Sequence, residues 1–427
     1  MGAAWGAIAV KIRTITVFDD VGFPVSQARL QAAGRTASNI RGALEEAGYE
    51  VQTVRLALPP VAPSLGLDVD AVVRLARDLE ANCPPNGIEY ATVGVVLPPD
   101  PPGLFEALPD AIGATTRVFA SCLIASREHG LSLPAVRGAA EVIWRCSRLS
   151  PDGFGNLRFA ALANVPPGVP FLPGAYHDGG PASVAIGVEA ADLAVTACAS
   201  ASSVADARSA LVGLIDEHAA RIGWAAERAL PSGVRFGGID FSLAPFPEAA
   251  RSVGSALERL SGVRVGEHGT LAATAVLADT LDRATFPRAG YSGVFLPVFE
   301  DAVLAARATE RLLTTGDLLL WSSVCGTGLD TVPLPGDVSA AALAAILADL
   351  GALALRLDKP LTARLMPIPG KQAGDPVTFD FAYFAPSRVL DVRASGLGGL
   401  IGAADRVDLH QWRGRLARGN GAPGAQG

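Results

Sequence analysis

The stretch VKIRTITVFDDVGFPVSQARLQAAGRTASNIRGALEEAGYEVQTVRLAL, residues Val10–Leu58, reads as strand, helix, strand. Val10–Val17 alternates apolar and polar residues with the two-residue period of a strand. Pro24 opens a segment that carries Ile40, Leu44 and Ala47 at helical spacing, and Gly48 closes it. Val51–Leu58 is a second apolar strand. Two strands joined through a helix pair in parallel, which places the chain in the α/β class.

The unit recurs along the chain. Strands are expected at Tyr90–Leu97, Val118–Ile124, Leu157–Asn164, Ser183–Val188, Phe236–Phe241 and Leu361–Ile368. Helices are expected at Pro134–Cys146, Ser203–Ala229, Glu248–Leu260, Thr270–Leu281, Ala302–Leu313, Gly316–Ser323 and Ser339–Leu357. Most of the 47 glycines and 31 prolines fall between these elements, as short connections require. A chain of 427 residues has room for about three domains. The alternation runs without a long linker or a fixed-period repeat, so the expectation is one large β/α barrel-like domain over residues 10–412. The Gly-rich polar segment 413–427 is expected to be a disordered tail.

Composition narrows the function. Half the residues are hydrophobic and 18% are charged, enough for a large core and too apolar for a disordered chain. The net charge of −7 and the absence of a basic run argue against a nucleic-acid partner. Five cysteines with no CxxC spacing offer neither a disulfide framework nor structural zinc. Met1–Val10 lacks the flanks of a secretory signal. Ala340–Leu357 is the longest apolar run, but Asp349 interrupts it, and a buried helix is expected there rather than a membrane span. These readings imply a cytoplasmic protein without a membrane partner.

Four segments could carry chemistry. SSVCGTGLDTVPLPGD (Ser322–Asp337) reads as a loop, in which Gly326 and Gly328 allow close backbone approach to an anion and Cys325 offers a nucleophile. The plainer reading of the same residues is a tight turn with a small buried thiol. GAYHDGGPASVAIG (Gly174–Gly187) places His177 on a Gly-rich loop, positioned for acid/base work, while His129, His218 and His410 are expected to face solvent. Asp240, Asp330 and Asp337 sit where strand-end carboxylates could hold a divalent cation, whereas Glu300–Asp301 reads as a helix N-terminal pair. In KPLTARLMPIPGK (Lys359–Lys371), Arg364 interrupts an apolar strand and needs an anionic partner, either a protein carboxylate or a substrate. Lys371 follows a Pro-Gly turn and could reach a phosphate or carboxylate. No GxxxxGK[ST], GxGxxG or GxSxG motif is present in a matching context, which weighs against nucleotide hydrolysis, ordinary NAD binding and α/β-hydrolase chemistry.

Several segments together resemble a known family: KIRTIT at Lys11, GYEVQTVR at Gly48, FLPGAYH at Phe171, IDFSLAPFPE at Ile239, GTLAATA at Gly269, GYSGVFLPVFED at Gly290, CGTGLDTVPLPGD at Cys325 and KPLTARLMPIPGK at Lys359. The pattern resembles the uncharacterised family called domain of unknown function 711, over roughly residues 10 to 390. The resemblance implies a fold similar to the ten-stranded β/α barrel of pyruvate formate-lyase and ribonucleotide reductase. It does not bring glycyl-radical chemistry with it. The radical glycine of that type lies in a motif like RVxGY, and Arg393–Leu397 (RASGL) departs from it by lacking both the valine and the aromatic.

The expected function is an enzyme, a lyase or hydrolase acting on a small anionic metabolite in a barrel pocket. Cys325, His177 and Asp330 would be its catalytic groups, Arg364, Lys371, Gly326 and Gly328 would hold the substrate, and Asp240 and Asp337 would hold an optional divalent cation. The alternative is a non-catalytic ligand-binding protein, or a structural homodimer joined through apolar helices.

Overall fold

The opening unit forms as strand β1 (Lys11–Phe18), helix Gln27–Glu46 and strand β2 (Val54–Ala57), with Ile15 opposite Val54 in a parallel ladder. The helix starts three residues after Pro24 because Ser26 caps it, accepting from the Arg29 N–H. In the computed structural model, residues 10–66 and 68–411 are described, so the expected tail 413–427 and most of the Met1–Val10 segment lie outside the described residues.

The sheet continues through β3 (Tyr90–Val96), β4 (Val118–Ser126), the short hairpin strand β5 (Gly130–Ser132), β6 (Phe159–Ala163), β7 (Ser183–Glu189), β8 (Arg235–Asp240), β9 (Gly328–Pro335) and β10 (Leu361–Ile368). Helices Val69–Asn82 and Pro102–Gly113, unread in the sequence, supply the crossovers that parallel pairing of β2, β3 and β4 demands. The main path runs β8–β7–β1–β2–β3–β4–β6–β10–β9. Within it β1, β2, β3, β4 and β6 run one way. Strands β7, β8, β9 and β10 run the other, through antiparallel seams at β1/β7 and β6/β10. The result is a mixed α/β protein around a large, mostly parallel sheet. Its ladders do not themselves draw the closed ten-stranded barrel expected from the sequence, because β8 and β9 end the path. Isolated parallel bridges Ile239–Arg288, Leu243–Val294 and Pro297–Asp330 lie between those two edges.

The largest departure from expectation is β9. The segment read as a Gly- and Pro-rich loop is a strand, buried along all but its last residue. Pro333 and Pro335 are tolerated because β9 has only one laddered neighbour, β10. Leu157 opens no strand; a 3₁₀ turn (Phe154–Arg158) precedes the shorter β6. His218, expected in solvent, is buried, with its Nδ1 2.9 Å from the Tyr49 hydroxyl.

The principal hydrophobic cluster draws on residues from Val10 to Leu390. Ala340–Leu357 is long and apolar enough to cross a bilayer by length and composition alone. More than half of it is buried, and it packs on helix Leu133–Cys146 and on β4, β6 and β10. Such packing is what its apolar face requires without any membrane.

Asp192, in the first turn of helix Ala191–Ser200, is pushed up to about 6 by burial, with Glu189 adding to the effect. Its folded value lies above the ordinary carboxylate value, so its ionisation opposes folding above about pH 6, and the penalty fades as pH falls toward 4. After a discount for solvent screening, Asp192→Asn is expected to stabilise by roughly 1–2 kcal/mol at pH 8, a rise in Tm of about 1–3 °C. Near pH 4 the gain should vanish. Thermal melts at the two pH values check this, and an equal gain at both would refute the titration argument.

Candidate functional site

Because the two groups of strands run in opposite directions, the carboxyl ends of β7 and β8 and the first halves of β9 and β10 meet the amino-terminal half of β1–β3. A cavity of about 400 Å³ opens there, lined by Arg13 on β1, Arg55 on β2, Asp240 on β8, Asp330 on β9 and Arg364 on β10, with Glu300 from the segment before helix Ala302–Thr309. Ligands in α/β sheets characteristically bind outside the carboxyl ends of strands. Phe119, Phe171, Phe295 and Tyr383 add an aromatic wall.

Two of these arginines sit where the ladders slip. Ala363 pairs with Leu329 but Leu365 with Val332, so Asp330 and Thr331 together oppose Arg364. Thr331 takes φ +42°, a conformation a β-branched residue rarely adopts. On β1, Ile12 pairs with Val188 and Thr14 with Gly187, which leaves Arg13 as the extra residue. Bulges re-aim side chains at the rims of sheets, and here both slips fall at cavity-lining residues.

The charges form one chain. Arg364 Nε donates to Asp330 Oδ1 at 2.5 Å and its Nη2 to Glu300 Oε1 at 2.7 Å. Glu300 Oε2 accepts from Arg13 Nη2 at 2.9 Å, and Arg13 Nη1 donates to Glu189 Oε2 at 3.0 Å. Glu189 also pairs with Arg251 and accepts from Gln52 Nε2 at 3.2 Å. The Arg364 guanidinium lies 5.1 Å from the centre of the Phe171 ring, and that of Arg13 lies 5.0 Å from the Tyr383 ring. Glu189, Glu300, Asp330 and Arg364 are all buried. A chain of this kind is expensive to desolvate and is held by its geometry.

Two members are incompletely matched. Asp330 Oδ2 is buried without a hydrogen-bond partner among the described residues. Burial pushes the Asp330 carboxyl up, against the pull of Arg364. Burial acts in the same direction on Glu300, but Arg364 and Arg13 outweigh it and hold that carboxyl below its ordinary value. Asp330, with one guanidinium against two for Glu300, is the carboxyl of the pair held above its ordinary range. Arg55 is the second mismatch: its Nε donates to Thr53 Oγ1 at 3.0 Å, and it makes no ion pair among the described residues. Desolvation, then the like charge of Arg13, pull its guanidinium down to about 9. It still carries its charge at neutral pH.

The structure thus brings Asp240, Asp330 and Arg364 to one cavity, and Arg364 finds protein carboxylates as its partners. Asp240 is occupied: it accepts from the Ser242 hydroxyl and from the Tyr291 and Ser292 N–H groups, which ties the Tyr291–Ser292 segment to the end of β8. Asp337 is exposed beyond β9, so the two aspartates do not meet as a cation site. Lys371 closes the turn after β10 through its backbone and does not line this cavity. Cys325 is buried at the end of helix Thr315–Trp321, where Gly328 N–H lies 3.4 Å from its sulfur. Lys359 Nζ donates to the carbonyls of Ser322, Ser323 and Cys325, a cation at the negative end of that helix. Gly326 and Gly328 serve packing rather than an anion cradle. A Cβ on Gly326 would lie 2.6 Å from Gly293 Cα, and one on Gly328 would lie 2.6 Å from Thr362 O. His177 lines a different cavity. Arg393–Leu397 is irregular surface chain, with Gly396 beside Ala341 at the start of helix Ala340–Leu357.

Nothing in the local sequence pattern singles out Arg13, Arg55 or Glu189 as members of one site, and Glu300 reads there only as part of a helix terminus. The signal that singled out Arg364, a charge inside an apolar strand, is also present at Arg13 in KIRTITV and at Arg55 in VRLAL. Glu300 was paired in expectation with Asp301, but only Asp301 caps the helix, accepting from Val303 and Leu304 N–H at 2.9 and 3.0 Å.

The family described as Uncharacterised ACR (DUF711) matches residues 7–383. A UPF0210 protein of Pyrobaculum islandicum is 34% identical over 418 residues, 94% of this chain and 86% of the relative. One from Methanopyrus kandleri is 31% identical over 416 residues, 92% and 87% of the two chains. One from Neisseria meningitidis serogroup B is 30% identical over 349 residues, 78% and 77%.

Proposed function

This chain belongs to the DUF711 family, and from that premise and the charges of the first cavity we propose that it is an enzyme acting on a small anionic metabolite held at the carboxyl ends of β7 and β8, beside Asp330 and Arg364. The observation that carries the reading is the pair of mismatched groups in one cavity. Among the described residues, Arg55 has a positive charge without a carboxylate, and Asp330 has a buried oxygen without a partner. Arg55 would bind the anionic group, since a guanidinium matches a carboxylate or phosphate in two-point geometry. Phe119 and Phe171 would pack on the apolar body. Asp330 would donate or remove the proton, with Arg364 holding it in place. Proton transfer at a carboxyl fits a lyase or a hydrolase.

The same reading takes the sheet as a ten-stranded barrel, in which residues 288–297 act as the tenth strand between β8 and β9. The three isolated parallel bridges support it.

The test is a panel of small carboxylates and phosphate esters, scored for thermal stabilisation and for consumption by the purified protein. The expected result is a stabilising ligand that is also consumed. A ligand that stabilises without ever being consumed would make the protein a binder instead. Stabilisation by no member of the panel would remove the reading.

A further inference from the structure

A second cavity, of about 340 Å³, lies at the other ends of the same strands. Phe18 ends β1 there and Ser183 begins β7, whereas Arg13 and Val188 line the first cavity. The segment joining β6 to β7 runs between the two: Pro170–Leu172 face the first, and Gly168, His177 and Asp178 face the second.

His177 is 2% exposed. Its backbone N–H is tied to Leu58 O at 2.9 Å, which seats the residue beside the end of β2. The Gly179 N–H donates to its Nδ1 at 3.3 Å. A ring that accepts at Nδ1 carries its proton at Nε2. That Nε2 is buried and has no hydrogen-bond partner among the described residues. Asp178 Oδ1 lies 3.3 Å away without the alignment of a hydrogen bond, and it accepts instead from Gly180 N–H at 2.8 Å. A buried donor left without an acceptor is costly, so this N–H favours an acceptor brought from outside.

The surrounding charge says which kind. Arg235 and Arg288 line the same cavity. Arg235 Nη2 donates to Pro181 O at 3.5 Å and lies 3.8 Å from Asp178, too far for a hydrogen bond. Arg288 donates to the Leu281 and Ala284 carbonyls, which leaves its charge uncompensated by those bonds. The Arg235 guanidinium and the His177 N–H face one carboxylate, while the Arg288 side chain is directed to the end of helix Thr270–Arg283. Arg235 and Arg288 against Asp178 leave one surplus positive charge in the lining, which suits an anionic ligand.

We propose that the second cavity binds the phosphoryl group of a small molecule, with His177 Nε2–H and Arg235 as its donors. The first cavity takes no part in this, so the site stands or falls independently of the proposed reaction. The volume exceeds what a free phosphate fills and leaves room for the body of a phosphate ester.

Calorimetric titration of the full chain with inorganic phosphate, and separately with glycerol 3-phosphate, tests it. His177→Gln and Arg235→Gln are each expected to weaken binding by about tenfold or more. Tighter binding of the ester than of phosphate identifies a metabolite, and equal binding identifies free phosphate; either supports the site. No binding of either probe to the wild-type protein, or retention of affinity in Arg235→Gln, would overturn it. The Arg235 side chain is 57% exposed, so its variant keeps the fold and decides the matter even if His177→Gln does not fold.

Discussion

Arg364→Met is expected to destabilise the protein by about 3–5 kcal/mol, because it leaves two buried carboxylates without their shared cation. Asp330 and Glu300 both lose a charge-assisted hydrogen bond. Glu300 keeps Arg13, but Asp330 keeps no ion-pair partner among the described residues. Arg364→Lys should recover only part of the loss, since an ammonium cannot present the guanidinium fork to both carboxylates. Combining Arg364→Met with Asp330→Asn should recover more, because the orphaned charge is then gone. Denaturant midpoints at pH 7 measure all three. A cost below about 1 kcal/mol for Arg364→Met would place the chain of charges among solvated surface pairs and end its use as a rigid frame.

The second large effect separates the two mismatched groups of the first cavity. Arg55→Gln is expected to raise KM about 100-fold with little change in kcat, because it removes a charge that binds substrate and transition state alike. It should leave stability unchanged or slightly improved, since Arg55 is desolvated without an ion pair. Asp330→Asn is expected to lower kcat by about 10²–10⁴-fold while the ligand still binds. The pair therefore predicts opposite kinetic signatures from two residues in one cavity. Steady-state kinetics with the consumed member of the anion panel reads both. Equal losses of kcat in the two variants would show that Arg55 acts in the transition state and not as an anchor.

Arg364 and Arg55 are the same residue type on strands of the same sheet, yet opposite effects on stability are expected. The difference is one of partners, which no local window of sequence contains. VRLAL and TARLM look alike as apolar strands with one arginine. The partners of Arg364 come from residues 34 and 64 positions away, through a ladder slip that no propensity foretells.

Patterning settled what depends on near neighbours. The alternation in Val10–Val17, the spacing of Gln27–Glu46 and the apolar run of Leu361–Ile368 each follow from side chains a few residues apart meeting one face. The α/β class follows from repeating such units, and the family is legible in motifs spread along most of the chain. Expectation failed where long-range packing overrode local chemistry. Gly328–Pro335 carries loop residues and forms a strand, because β10 offers a buried parallel partner and β9 needs no second ladder. Gly326 and Gly328 look like an anion cradle and instead admit neighbouring backbone.

Sequence by itself determined the class, the family, most of the helices and strands, and that Arg364 must meet an anion. Only the tertiary structure decided that Asp330, Glu300 and Arg13 join it at one cavity while His177 turns to another. The physical reason is that secondary structure answers to contacts a few residues apart, whereas a site answers to the direction and register of strands from both halves of the chain. A slip of one residue in either ladder would turn these charges away from the cavity they share.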